Sequence, residues 1–382
     1  MTKQYFPKVM NNIQSWLLFE KKTGNIYSIG CSDNDYYLKV NQYQLPFALA
    51  AVKDMNGLNS YNTLIEKYRE DIDIVSLIKN LEVSGLVINS DKRKERNEYE
   101  KYSFILVDFP IQRLFKHLKN ISVLLNHSFL KFLASIFILI SFLVFSLKLP
   151  VYMTDPNTYL VYSSDTLNIF IYLLVSILSI CIHEFAHGIT ATYYNIFPKR
   201  FSAVLYMYFN PVFYLKIPGL YTLAPKQRIN VWGAGMFVNS FISSVCLWLF
   251  QFNNNPLLLM IVVVNVTLIV TNINPFLPLD GYFIVSTVLK ETNLRKKLFS
   301  IVRGEKLRNQ NLFIYLYLFV SLLFLIILIL TQIIWLVRLI INSLYTSNTI
   351  LAFLYNIRII FIFLGILLFV SIVKKKSYKE EI

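Results

Sequence analysis

The sequence predicts a mainly α-helical membrane protein of about six spans, with a small α/β domain before the first span and a β-hairpin loop associated with the membrane. Three observations predict it. Of 382 residues 55% are hydrophobic, with 31 Phe and 25 Tyr, and only 15% are charged; the mean hydropathy is +0.51. That is more apolar surface than a soluble domain of this length can bury. Several uninterrupted apolar stretches reach the roughly 20 residues that cross a bilayer as a helix. The first hundred residues lack such stretches and read as a separate, water-facing unit.

Within residues 1–90, Trp16 to Phe19 and Ile26 to Ile29 flank Thr23-Gly24-Asn25, which is hairpin chemistry. Leu45, Leu49 and Val52 then recur at helical spacing up to Gly57, as do Tyr61, Leu64, Ile65 and Tyr68, and after them Ile74, Leu77, Ile78 and Leu81. Leu86-Val87-Ile88 closes the unit as a short strand. A hairpin, three helices and a final strand make a winged-helix-like domain.

Residues 91–128 form a charged linker and pre-membrane segment, opening with Asp91-Lys92-Arg93-Lys94-Glu95-Arg96. Spans are expected at 129–149, 166–192, 231–252, 257–274, 312–337 and 350–373. They divide the rest of the chain into a first span with its external loop (129–165), a core (166–290), and a C-terminal part (291–382) of basic loop, two spans and basic tail. The polar N-terminal stretch carries no signal-peptide pattern, so the first span is expected to act as an internal anchor.

The formal net charge of +15 is distributed unevenly. Residues 1–90 hold nine Lys/Arg and nine Asp/Glu, whereas the connections at 193–230 and 290–310 and the tail Lys374-Lys375-Lys376 are basic. The alternate loops, 150–165 and 253–256, hold neither Lys nor Arg. The positive-inside rule therefore assigns both termini and both basic loops to the cytosol, and the excess charge to anionic lipid headgroups of the cell membrane. The neutral N-terminal domain lacks the electrostatic term that DNA affinity relies on, so no nucleic-acid partner is expected.

The segment 201–224 is aromatic and β-prone, yet broken by Asn210-Pro211 and Pro218-Gly219, so a hairpin at the membrane surface is expected in place of a helix. Cys31, Cys181 and Cys246 are too scattered for a disulfide framework or a thiolate metal cluster. His117 and His127 have no ligand partner at useful spacing.

The second span ends in His183-Glu184-Phe185-Ala186-His187-Gly188. Histidines four apart share one helical face and can place two imidazole nitrogens on one Zn²⁺, while Glu184 beside them can accept a proton from water. Ionisable groups within a membrane are costly, and so are functional or paired as a rule. Two neutral histidines need a third protein ligand. Asp280 is the single acidic residue between Glu184 and Glu291, in the Pro275-Phe276-Leu277-Pro278-Leu279-Asp280-Gly281 segment that breaks the fourth span. The second and fourth spans run in the same direction, so the histidines and Asp280 are expected at one depth. Gly281 permits the backbone to leave helical geometry there.

HEFAHG on one span and NPFLPLDGY about a hundred residues later resemble the paired motifs of the site-2-protease family of intramembrane zinc metalloproteases. The resemblance implies that His183, His187 and Asp280 bind Zn²⁺ and that Glu184 activates water. It covers the core, 166–290, and Gly233 to Asn239 is similar to the family's middle helix, which makes Asn239, Asn274 and Gly281 candidates for support of the site. The N-terminal unit resembles PqqD-like leader-recognition domains of peptide-maturation pathways. Together these imply a zinc endopeptidase that cleaves a peptide or membrane-protein substrate near the cytosolic face, delivered through a leader, and that matures a ribosomally made peptide. The competing reading is a membrane binding or export accessory without proteolysis; substrate, cleavage site and oligomeric state are not legible.

Overall fold

The computed structural model describes residues 5–90 apart from 22–23 and 33–36, residues 103–291 apart from short gaps within 155–163, 207–209 and 275–278, single positions from 294 to 303, and residues 312–350 apart from 347–348. The chain divides into two units, one built from residues 1–97, 107–202 and 213–296, the other from 98–106, 203–212 and 297–382.

In the first unit, β1 (Gln14–Phe19), β2 (Ile26–Gly30) and β3 (Tyr37–Asn41) form an antiparallel sheet in that order, with Gln14 opposite Gly30 and Ile26 opposite Asn41. Three helices follow, α1 (Leu45–Asp54), α2 (Tyr61–Tyr68) and α3 (Ile74–Val83). Ser60 caps α2 by accepting from Thr63 N at 3.2 Å, and Asp73 caps α3 by accepting from Ser76 N at 3.0 Å; such caps are worth about 1 kcal/mol each. Met55, Leu64, Ile78, Leu81 and Leu86 are buried between the helices, each contributing about 1.5–3 kcal/mol. Two expectations are corrected here. The hairpin has a third strand, β3, and Leu86–Ile88 is no strand but a single bridge from Val87 to Val9.

The segment expected as a linker is also more structured. Residues 103–110 form β4 (Ser103–Pro110), followed by α4 (Gln112–His117) and α5 (Lys119–Leu125). β4 is one edge of a second sheet, ordered β4-β5-β6, with β5 (Arg200–Tyr206) and β6 (Asn210–Lys216). The expected hairpin is therefore two strands of three. Arg200 Nε donates to both Asp108 oxygens at 2.8 and 2.9 Å, and Ser202 Oγ donates to Oδ1 at 2.9 Å, which pins β4 to β5. The Arg200 hydrogen bond outweighs burial and, with Ser202, holds the Asp108 carboxyl below the usual carboxylate range.

Among the described residues four helices are long and apolar enough to cross a membrane: α6 (Ser128–Phe145), α8 (Asp165–Tyr193), α9 (Pro225–Asn253) and α10 (Pro256–Ile273), with the short α7 (Lys148–Thr154) between the first two. They match the first four expected spans, except that α9 begins six residues earlier than position 231, at Pro225. Pro225 and Pro256 stand at the first helical position, where a missing N–H costs nothing. α8 ends at Tyr193, two residues before Asn195 with its φ of +64°, and Lys119 Nζ donates to the last carbonyls, Thr192 O at 2.9 Å and Tyr193 O at 3.1 Å. After a break, α11 (Asp280–Val288) begins at Asp280 itself. Within the bundle, polar groups find one another: Asn265 Nδ2 donates to Ser179 Oγ at 3.1 Å and Trp248 Nε1 to Ser141 Oγ at 3.0 Å.

The second unit contains α12 (Leu312–Thr346), an apolar helix of 35 residues over the expected fifth span. The expected sixth span, 350–373, lies outside the described residues from 351 onward.

Candidate metal centre

His183 and His187 lie one turn apart on α8, both buried, at 4% and 6% exposure. Asp280 reaches them from the first turn of α11: its Oδ2 is 2.9 Å from His183 Nε2 and 3.2 Å from His187 Nε2. The three ligating atoms fall within 4.8 Å of one another. Ligands of a tetrahedral zinc at the usual bond lengths sit about 3.3 Å apart, so the cluster has the size of a metal site.

The outer ring nitrogens decide what the inner ones face. His187 Nδ1–H donates to the carbonyl of Val231 on α9 at 2.7 Å, which leaves Nε2 as a lone pair aimed at a carboxylate oxygen. His183 Nδ1 lies 3.0 Å from the side-chain amide of Asn239. With that amide drawn nitrogen-first, its Oδ1 is buried without a partner. Exchanging N and O, an assignment that rests on the hydrogen-bond network, lets His183 Nδ1–H donate to Oδ1, as His187 Nδ1–H donates to Val231 O. Both imidazoles then present lone pairs to Asp280, and the three acceptors could hold a cation among them. His187 Nε2 accordingly has no hydrogen-bond partner despite its buried setting. The donor set fits a metal whose histidine ligands are each held through the second nitrogen.

Glu184 points elsewhere: its Oε2 accepts from the backbone N–H of Leu215, on the edge strand β6, at 3.2 Å. A carboxylate beside the three ligands is thereby tethered to a strand edge.

Two glycines make the arrangement possible. A Cβ on Gly235 would lie 2.4 Å from both Cε1 and Nε2 of His183, so α9 must be bare there for the ring to fit. A Cβ on Gly281 would lie 2.4 Å from the carbonyl oxygen of Asn272, so α11 can start this close to the end of α10 only with glycine. Of the supporting candidates, Asn239 touches a ligand and Gly281 acts through backbone approach, while Asn274 is buried at the C-cap of α10.

The backbone partners Val231 O and Leu215 N–H carry no residue signature. Gly235 was legible in principle, since it lies one turn before Asn239 on the same face of α9. His117 instead donates through Nδ1 to Arg113 O at 2.7 Å within its own helix. All three cysteines are free.

The N-terminal domain meets the bundle near this centre. Arg228, fully buried on α9, donates from Nη2 to Leu18 O of β1 and lies over the rings of Phe19 at 5.3 Å and Tyr221 at 5.7 Å. Lys21 pairs with Glu291 at 2.5 Å. No family model matches the chain, and no curated protein or solved structure is found similar to it.

Proposed function

We propose that this chain is an intramembrane zinc endopeptidase of the site-2-protease type, acting on a peptide or membrane-protein substrate near the end of the bundle that charge asymmetry assigns to the cytosol. The observation that carries the proposal is the convergence of His183 Nε2, His187 Nε2 and Asp280 Oδ2 with both outer ring nitrogens turned away to acceptors, beside a carboxylate on the same helical turn. A HExxH helix with a third oxygen ligand is the donor set for zinc with one position left open.

Bound zinc would polarise the scissile carbonyl and acidify a water. Glu184 is the base in this reading: it takes the proton of that water and returns it to the amine nitrogen as the peptide bond breaks. A helical substrate hides its carbonyls in its own hydrogen bonds and must be extended first. The edge of β6 at Leu215 offers main-chain groups to pair with it beside Glu184, by strand addition. In this reading the N-terminal domain, which meets α9 through Leu18 and Arg228, brings a leader-bearing precursor to the bundle.

Glu184→Gln in the full-length chain tests this. It should retain zinc, because the ligands are untouched, and lose cleavage of a co-expressed precursor by at least about a hundred-fold, the weight of a general base. Undiminished processing by that variant would remove the mechanism.

A further inference from the structure

A second feature of the bundle lies on the other flank of α8 and α9. Between α5, α6, α8 and α9 there is a cavity of about 1140 Å³, beyond the usual range for a small-ligand pocket. Its deep end is apolar, including Phe137 and Phe241, whose rings are 6.0 Å apart. Its other end is polar: Asn126, Lys131 and Thr190 line it, at the beginning of α6 and the end of α8. That is the end of the bundle bearing the basic connections.

Lys131 is the feature to explain. It sits within the first turn of a membrane-crossing helix and faces this cavity, and no hydrogen bond or ion pair engages its ammonium among the described residues. Asn126 beside it is 7% exposed, and its Oδ1 has no partner. An intramembrane cation without a counter-charge calls for one. The void itself is confirmed from α9, since a Cβ added to Gly233 would meet nothing within 4 Å.

We propose that this cleft binds one anionic phospholipid, its headgroup phosphate on the Lys131 ammonium and its acyl chains along the walls formed by α6, α8 and α9. Charge complementarity selects the occupant. A single cation at headgroup depth over an apolar trough matches an amphiphile with an anionic head, the chemistry of basic pockets between membrane helices. A substrate segment fits the cleft less well, because none of His183, Glu184, His187 and Asp280 lines it. His183 faces Gly235 and Asn239, and His187 faces Val231, on the other side of the helix pair. The proposal does not depend on peptidase activity.

Cys181 lines the cleft, whereas Cys31 and Cys246 are buried, so its thiol is a built-in reporter of occupancy. The full-length protein is placed in nanodiscs of phosphatidylcholine, or of phosphatidylcholine with phosphatidylglycerol, and modification of Cys181 by a small methanethiosulfonate is timed. Phosphatidylglycerol should slow the reaction about five-fold, the contribution of one lysine to anionic-lipid binding. Lys131→Gln should erase that difference and Lys131→Arg should keep it. Gly233→Leu, whose side chain enters open space, should lower the phosphatidylglycerol retained by the protein in native mass spectrometry. Equal protection by both lipids, or an unchanged lipid effect in Lys131→Gln, would overturn the proposal. Protection that arises only when a precursor peptide is added to the Glu184→Gln protein would overturn it too, by assigning the cleft to substrate.

Discussion

Gly235→Ala is the sharpest perturbation of the proposed metal centre, because it adds one methyl and replaces none of the candidate ligands. The added Cβ would stand 2.4 Å from Cε1 and Nε2 of His183 and 2.6 Å from Cδ2, where ordinary contact begins at 3.4 Å. The imidazole must therefore retreat by about 1 Å, several times the roughly 0.2 Å within which a metal–ligand distance is defined. It cannot retreat without cost, since Asn239 holds Nδ1 at 3.0 Å and the ring is buried. Losing an outer partner of a ligand already costs about 10–100-fold in metal affinity. Displacing the ligand itself should cost at least about 100-fold, or about 2.8 kcal/mol. Zinc content by mass spectrometry and competition against a chromogenic chelator measure this directly. The control is Gly233→Ala on the same helix, whose Cβ meets nothing within 4 Å and which should bind metal as the parent does. Equal affinities for the two alanine variants would refute the packing of His183 against Gly235.

Two further outcomes follow from the same contacts. Asn239→Leu removes the acceptor on His183 Nδ1–H and should weaken metal binding by about 10–100-fold, while Asn239→Asp keeps an acceptor and should retain most of it; chelator competition on both variants distinguishes this from a loss of fold. In the N-terminal domain, hydrogen bonds from Lys67 at 2.6 Å and Tyr68 at 2.7 Å hold the Asp54 carboxyl below its ordinary value of 3.8, against a smaller effect of burial. Because the folded value is the lower one, the stabilisation is fully present above pH 3.8 and is lost as the pH falls through the folded value. Protection factors of α1 and α2 amides in the full-length protein, corrected for the intrinsic pH dependence of exchange, should fall on acidification, and Asp54→Asn should flatten that dependence; identical acid profiles would refute it.

The parts of this structure that were legible from sequence are those in which the signal is local. HExxH is one turn of helix, so the shared face of His183 and His187 follows from periodicity alone. Asp280 is not local, but its isolation among apolar residues and the common direction of two spans leave little choice of partner. What escaped was carried by backbone or by context. Val231 O and Leu215 N–H have no residue signature. β4 contains Phe104-Ile105-Leu106-Val107, a continuous apolar run that periodicity alone cannot assign to strand or helix. Leu86–Ile88 has strand composition but meets Val9 at a single bridge, so no ladder forms. The true start of α9 was hidden because Lys226, Gln227 and Arg228 read as loop. Arg228 becomes an interior residue only where the carbonyl of Leu18, some two hundred residues earlier, reaches it.

That last contact bears on how the metal centre is held. A buried guanidinium with Nε and Nη1 unpartnered is costly, and among the described contacts it gains only a carbonyl and two aromatic faces. Those faces continue inward: Tyr221 meets Trp232 at 6.3 Å, and Trp232 stacks on Phe283 at 5.4 Å. Phe283 belongs to the same short helix that begins with Asp280. The third ligand thus stands on a helix of nine residues whose lateral support is an aromatic column ending on β1 of the N-terminal domain. His183 and His187, by contrast, stand in the C-terminal part of a helix of 29 residues locked against α9 and α10. Asp280 is thus held by the bundle as well, through Trp232 of α9 and the close approach of Gly281 to the end of α10, and the aromatic column ties that support to the N-terminal domain.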